Sequence, residues 1–151
     1  MQDFLGERLP SNSGDIVNTV GKVIGKHSGI HRYTIGQRKG IELGGGPALF
    51  VIDKIAASNT LIVGPEDSPE LLRENCRLAD WISIDMDFMS LLETPLTCKI
   101  RYRQVDIGVT LTYLNGELIA YFSEPQRAVT PGQFLVAYQG SRIIGSGVIC
   151  W

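Results

Sequence analysis

Two alternating runs meet at Asn115-Gly116. A type I′ turn needs positive φ at both central residues, and Asn-Gly meets that need with the least strain. Leu111 and Tyr113 before the pair, and Leu118, Ala120 and Phe122 after it, place apolar side chains at every second position. That pattern predicts an antiparallel hairpin. The following stretch, AVTPGQFLVAYQGSRIIGSGVICW, predicts two more strands joined around Gln139-Gly140-Ser141. Strands at this spacing, with turn signals and no long helix, predict a small antiparallel β-barrel.

The first half also reads as strand and turn. Asp15–Asn18 and Lys22–Gly25 are β-formers around a turn at Val20-Gly21. ALFVIDKIAASNTLIVGP predicts a hairpin with its loop at Ala57-Ser58-Asn59, stopped by Gly64-Pro65. Ser68 before Pro69 has the form of an N-cap followed by proline at the first helical position, so one short helical turn is expected there. The expected organisation is mainly β, in two small β domains at 14–68 and 69–151. Residues 1–13 read as a remnant of a preceding segment. Phe4, Leu5 and Leu9 fit the last turn of a helix with nothing before it, so a longer chain with an imposed Met1 is expected.

Composition narrows the function classes. The chain has 151 residues, 44% hydrophobic and 20% charged, so disorder is excluded as the general state. A net charge of -2 excludes a uniformly basic nucleic-acid binder. It leaves room for a local basic face on an acidic body. Cys76, Cys98 and Cys150 lack CxxC spacing, so packing is the expected role and a zinc or redox motif is not. No signal peptide is visible, and the apolar runs are too short for a membrane-spanning helix; a cytoplasmic protein without a membrane partner is expected.

Three stretches stand apart from the strand pattern. Residues 29–47 hold six glycines together with His31, Arg32, Arg38 and Lys39, and their apolar residues follow no period. Gln37, Arg38 and Lys39 are the candidate residues of a loop facing RNA or an active site; the other reading is a loop that packs on a neighbouring domain. IELGGGP lacks the GK[ST] of a phosphate loop. His27 and His31 have the spacing of a helical metal pair, but Gly29 between them and the missing helical period argue against a metal site.

KIRYRQ, residues 99–104, read as a strand, sets Lys99, Arg101 and Arg103 on one face as a basic stripe, with Tyr102 able to stack. The plain alternative is a solvated strand whose cations pair across to Glu117 or Glu124. In AVTPGQF, Pro131-Gly132 suits a type II turn, and Gln133 follows as a neutral side chain able to read a base or ribose.

Taken together, GKVIGKHSGIHRYTIGQRKGI with GGGP, then IRYRQVDI, EPQRAVTPGQFLVAYQG and IIGSGVI, resemble the bacterial tRNA-specific 2-thiouridylases. The resemblance runs in order over essentially the whole chain, and DFLGERLP is similar to the segment after that family's second catalytic cysteine. It implies an SH3-like central domain and a translation-factor-like barrel. It implies a full-length enzyme that uses ATP, with magnesium, to activate C2 of the wobble uridine of tRNAs for Lys, Glu and Gln. A sulfur-relay persulfide protein then supplies the sulfur. The ATP loop and both catalytic cysteines of that family lie in an N-terminal domain and have no match in these 151 residues. No cofactor-binding or catalytic residue is therefore assigned here, and the chain alone is expected to be inactive. By motif, the resemblance places tRNA contacts on Arg101, Tyr102 and Gln133, with Lys99 and Arg103 as weaker phosphate candidates. The family's older label is a tRNA methyltransferase, but no SAM-type motif is visible. Two other classes remain open at this level: a stand-alone β-barrel binding module, and a small hydrolase, which lacks a visible nucleophile–base pair.

Overall fold

The computed structural model describes residues 12–41, 43–44 and 46–151. The expectations for residues 1–11 fall outside the described residues. The chain divides into two compact units, Met1–Leu71 and Leu72–Trp151, each described by itself. Both are built of strands, with three short 3₁₀ turns and no α-helix among the described residues.

The first unit is a four-stranded sheet in the order β2-β1-β4-β3. Its strands are β1 (Gly14–Asn18), β2 (Val23–His27), β3 (Phe50–Ile55) and β4 (Thr60–Gly64). Neighbours pair antiparallel except β1 and β4, which run parallel with Ile16 opposite Leu61. Ile16, Val51, Leu61 and Val63 are fully buried and form its core with Tyr33. Burying each such aliphatic side chain contributes about 1.5–3 kcal/mol before the entropy cost is counted.

A polar knot holds β1 in place. Asn59, at the β3–β4 turn with φ +51°, donates from its side chain to the carbonyls of Asn12 and Ser13. The Asn59 carbonyl lies 3.0 Å from His27 Nε2, and His27 Nδ1 accepts from the Gly29 amide at 3.1 Å. This pattern fixes the Nε2–H tautomer, with both ring nitrogens satisfied inside the core. A Cβ on Gly14 would collide with the Asn59 carbonyl oxygen, so only glycine fits there.

The glycine-rich segment is better anchored than its sequence suggests. It contains a 3₁₀ turn at Ile30–Arg32. Tyr33 is buried against His27, and Ile41, Leu43 and Leu49 pack on the core from the side. The Gly36 amide and Gln37 carbonyl both bond Val51 on β3. These apolar contacts come from residues without period, which is why the sequence hides them.

The second unit is a closed six-stranded antiparallel barrel in the order β10-β5-β8-β7-β6-β9. Its strands are β5 (Leu72–Ser83), β6 (Leu96–Lys99), β7 (Ile107–Leu114), β8 (Glu117–Arg127), β9 (Phe134–Gln139) and β10 (Arg142–Cys150). The β7–β8 hairpin turns at Asn115 (φ +53°) and Gly116 (φ +83°), the type I′ geometry read from the sequence. Leu111, Leu135, Ile144 and Ile149 are fully buried in its core. Closure pairs every barrel strand on both sides and leaves no open sheet edge.

Pro69–Leu71 is a single 3₁₀ turn, as the Ser68-Pro69 signal predicts, but β5 starts at once after it. This twelve-residue strand was not legible from sequence. Register shifts at Arg73/Asn75 and opposite Ser146/Val148, and the positive φ of Asp80, break its alternation.

Candidate nucleic-acid interface

The KIRYRQ stretch is not a strand along its length. β6 ends at Lys99, and Arg101–Arg103 form a bend and turn with Arg103 at φ +62°. The reason is local competition: the Ile100 amide donates to the Gln104 side-chain oxygen at 3.1 Å, and the Gln104 amide returns to the Arg101 carbonyl at 3.3 Å. A side chain thus takes the donor that a continuing ladder would need. Buried Ile100 turns into the core while Arg101, Tyr102 and Arg103 are exposed.

The cations nonetheless converge. Lys99, Arg101, Tyr102 and Arg103 line one open groove of about 770 Å³ together with Gln133, Phe134, Val136 and Tyr138. All belong to the barrel unit. The expected cross-strand pairing to Glu117 or Glu124 is replaced: Lys99 Nζ pairs with Asp106 at 3.2 Å, and Glu117 holds Arg77 at 2.6 Å. The alternation of a regular strand is what the expectation assumed, and the turn removes it.

Arg101 has a role that its sequence position conceals. Its Nη2 donates to the carbonyls of Arg127 at 2.7 Å and Ala128 at 2.6 Å. Burial, then the nearby Arg127 charge, lowers its pKa from the ordinary value, but a guanidinium stays charged at neutral pH. The Ala128 carbonyl also accepts from Thr130 Oγ1 at 2.9 Å, and Ala128 sits at φ +53°. Arg101 therefore ties the turn at 101–103 to the segment that leads into Gln133.

That segment ends in the type II turn expected at Pro131-Gly132. Gly132 has φ +86°, and the Gln133 amide closes the turn on the Thr130 carbonyl at 3.2 Å. Two further backbone bonds, Gly132 amide to Ile149 carbonyl at 2.9 Å and Ile149 amide to Gln133 carbonyl at 2.7 Å, fix it to β10. Gln133 Oε1 is buried and has no hydrogen-bond partner, which leaves an unmet acceptor in the groove wall.

Cations and rings interleave along this groove. Arg103 lies 5.2 Å from the Tyr102 ring centre and Lys99 Nζ lies 5.8 Å from that of Tyr138. Tyr102 is 89% exposed. Sequence reasoning missed Phe134 and Tyr138. Their signal was the alternation of β9, where Leu135 and Ala137 are fully buried and Phe134, Val136 and Tyr138 face outward.

The other candidate loop lies in the first unit. Gln37 uses both ends of its amide locally: Oε1 accepts from the Thr34 amide at 3.0 Å and Nε2 donates to the Lys39 carbonyl at 2.7 Å. It is a turn-closing residue. Arg38 and Lys39 are exposed and make no ion pair with a described residue.

Burial pushes the Cys76 and Cys98 thiols up to about 12, which disfavours the thiolate in the packed barrel core. His27 is committed to the core knot. Among the described residues no three His, Cys, Asp or Glu side chains cluster as metal ligands, and no helix is long and apolar enough to cross a membrane.

Family comparisons agree with this layout. Residues 2–65 match the tRNA methyl transferase PRC-barrel domain and residues 76–149 the aminomethyltransferase β-barrel domain. A tRNA-specific 2-thiouridylase MnmA of Nostoc punctiforme is 39% identical over 154 residues, covering 99% of this chain and 42% of its own length. The protein of the same name in Lactobacillus delbrueckii is 42% identical over 153 residues, covering 97% of this chain and 41% of its own. That of Lactobacillus helveticus is 43% identical over 157 residues, with the same two shares. The chain thus spans about two-fifths of the length of these relatives. With both β units matched in order, the chain belongs to the tRNA-specific 2-thiouridylase family.

Proposed function

We propose that this chain is the tRNA-binding part of an ATP-dependent tRNA 2-thiouridylase, and that the barrel groove is its RNA-contacting surface. The observation that carries this reading is the convergence of Lys99, Arg101, Tyr102, Arg103 and Gln133 on one groove, although a turn separates them from any common strand. Cations neutralise phosphates and set affinity; rings and a neutral amide add contacts that salt does not screen. Arg103 is the cation best placed for a phosphate, since Arg101 is committed on one nitrogen to two carbonyls and Lys99 to Asp106. Arg38 and Lys39 supply a second, purely electrostatic contact.

The full-length enzyme would thiolate C2 of the wobble uridine of tRNAs for Lys, Glu and Gln in the cytoplasm, taking sulfur from a persulfide donor protein. ATP and magnesium do not fit the residues present: Gly44 and Gly46 precede no GK[ST], and the described residues offer no acidic cluster. Nucleotide and catalytic cysteines are therefore assigned to sequence outside this chain, and no chemical step is routed through its residues.

The test is tRNA affinity as a function of salt for the 151-residue chain. The reading expects log Kd to rise linearly with log salt and Arg103→Ala to reduce that slope by about one ion. Binding without salt dependence, or an unchanged slope in Arg103→Ala, would remove the groove as the RNA surface. A stand-alone β-barrel module that binds a protein instead would show no salt-sensitive RNA affinity at all.

A further inference from the structure

We propose that the outward face of β9 makes this groove a stacking track, so that the barrel selects RNA with unpaired bases over helical RNA. The proposal rests on the reading that the groove takes RNA, and it names the form of RNA.

Phe134 carries the argument. It is 60% exposed, at the first position of β9, in a groove otherwise rich in charge. A phenyl ring is a flat apolar face without a polar handle, and this one does not stand singly: Tyr102 and Tyr138 line the same groove. Its support is rigid: the preceding Gln133 is held to Ile149 through its carbonyl, and the next residue, Leu135, is fully buried. A ring on a fixed backbone loses little freedom when a flat partner stacks on it.

Tyr138, two side chains further along the same face, and Tyr102, across on the turn, extend the row of rings. Each of these two has a cation near its ring, Lys99 and Arg103 respectively. Three cations against the single carboxylate of Asp106 leave the groove positive, which favours a polyanion over an apolar peptide. Base–aromatic stacking beside backbone cations is how single strands are held without sequence readout. A duplex keeps its bases stacked inside and shows phosphates and 2′-hydroxyls. It would engage Lys99 and Arg103 and leave Phe134 idle. Unpaired bases use both sets.

The experiment compares two RNAs of equal phosphate count on the whole chain: a short hairpin with an unpaired loop, and a blunt duplex. Affinities are measured for wild type, Phe134→Leu and Arg103→Ala, with melting temperature as control. Leucine keeps apolar volume and removes the ring. The expected result is tighter binding of the hairpin and a loss of about tenfold on it in Phe134→Leu, at unchanged salt slope and melting temperature, with the duplex unaffected. Equal binding of both RNAs, or a Phe134→Leu that holds the hairpin as wild type does, would overturn the track. If Arg103→Ala still weakens binding in that case, the basic-groove reading survives. If no variant changes binding, or neither RNA binds, both readings fall.

Discussion

Two basic loops of this chain look alike in sequence and are built differently. Gln37-Arg38-Lys39 closes on itself through the Gln37 amide and offers two solvated cations without an aromatic neighbour in that turn. Arg101-Tyr102-Arg103 is tied by Arg101 to the Arg127 and Ala128 carbonyls, faces a turn pinned to β10, and alternates rings with charges. The first loop can attract a polyanion. The second can also orient one, because its cations sit against rings before any ligand arrives, whereas Arg38 and Lys39 extend into solvent from an anchored backbone. On the proposed reading, positive charge draws a nucleic acid and fixed geometry orients it.

The contrast predicts effects of falling size. Arg101→Ala should be the largest, because it removes two hydrogen bonds from a charged donor and frees the turn. Barrel stability should fall by about 1–3 kcal/mol in a denaturant titration, and RNA affinity should fall with it. Arg101→Lys should keep charge yet restore little, since an ammonium lacks the planar fork. The same two contacts make Arg101 part of the barrel's framework as well as of the groove lining. Unchanged stability in Arg101→Ala would erase the distinction between the loops.

Gln133→Ala comes next. It removes a buried acceptor without a partner, so the fold should be unharmed, while RNA affinity drops by about 1 kcal/mol at constant salt slope. A change in slope there would place Gln133 among the electrostatic contacts. Arg38→Ala and Lys39→Ala should have the smallest effect. Each should lower the salt slope by about one ion if the loop meets RNA, with no change in melting temperature. A loss of stability in either would mean that the loop is structural after all. Thiol labelling offers a separate check on the barrel: native protein should react at half-buried Cys150 well before Cys76 and Cys98, whose burial suppresses the thiolate. Equal rates at all three would contradict the packed core.

Much of the fold was legible because its signals are local. Asn115-Gly116, Pro131-Gly132 and Ser68-Pro69 each impose a backbone geometry that tertiary contacts do not override. β5 was hidden because its bulges and the left-handed Asp80 break the alternation that marks a strand. The 99–104 stretch shows the reverse error. Its alternation is strand-like, yet the Gln104 side chain captures the Ile100 amide and ends the ladder. Of the groove lining, the motifs name the turn residues and Gln133 but not Phe134 or Tyr138. Closure of the barrel brings the outer face of β9 beside the β6 turn, and that neighbourhood follows from pairing between Thr97–Lys99 and Val136–Tyr138, which no local pattern announces. Gln37 shows a similar limit: a glutamine with a free side chain and one that closes its own turn have the same sequence.

The most direct test of the central claim is residue-resolved. Amide resonances of the labelled 151-residue chain would be followed while tRNA is added at moderate salt. The account predicts the largest shifts at Ile100–Gln104 and Gln133–Tyr138, with smaller, salt-sensitive ones at Gln37–Lys39. Shifts that spare the barrel groove and gather elsewhere would contradict it.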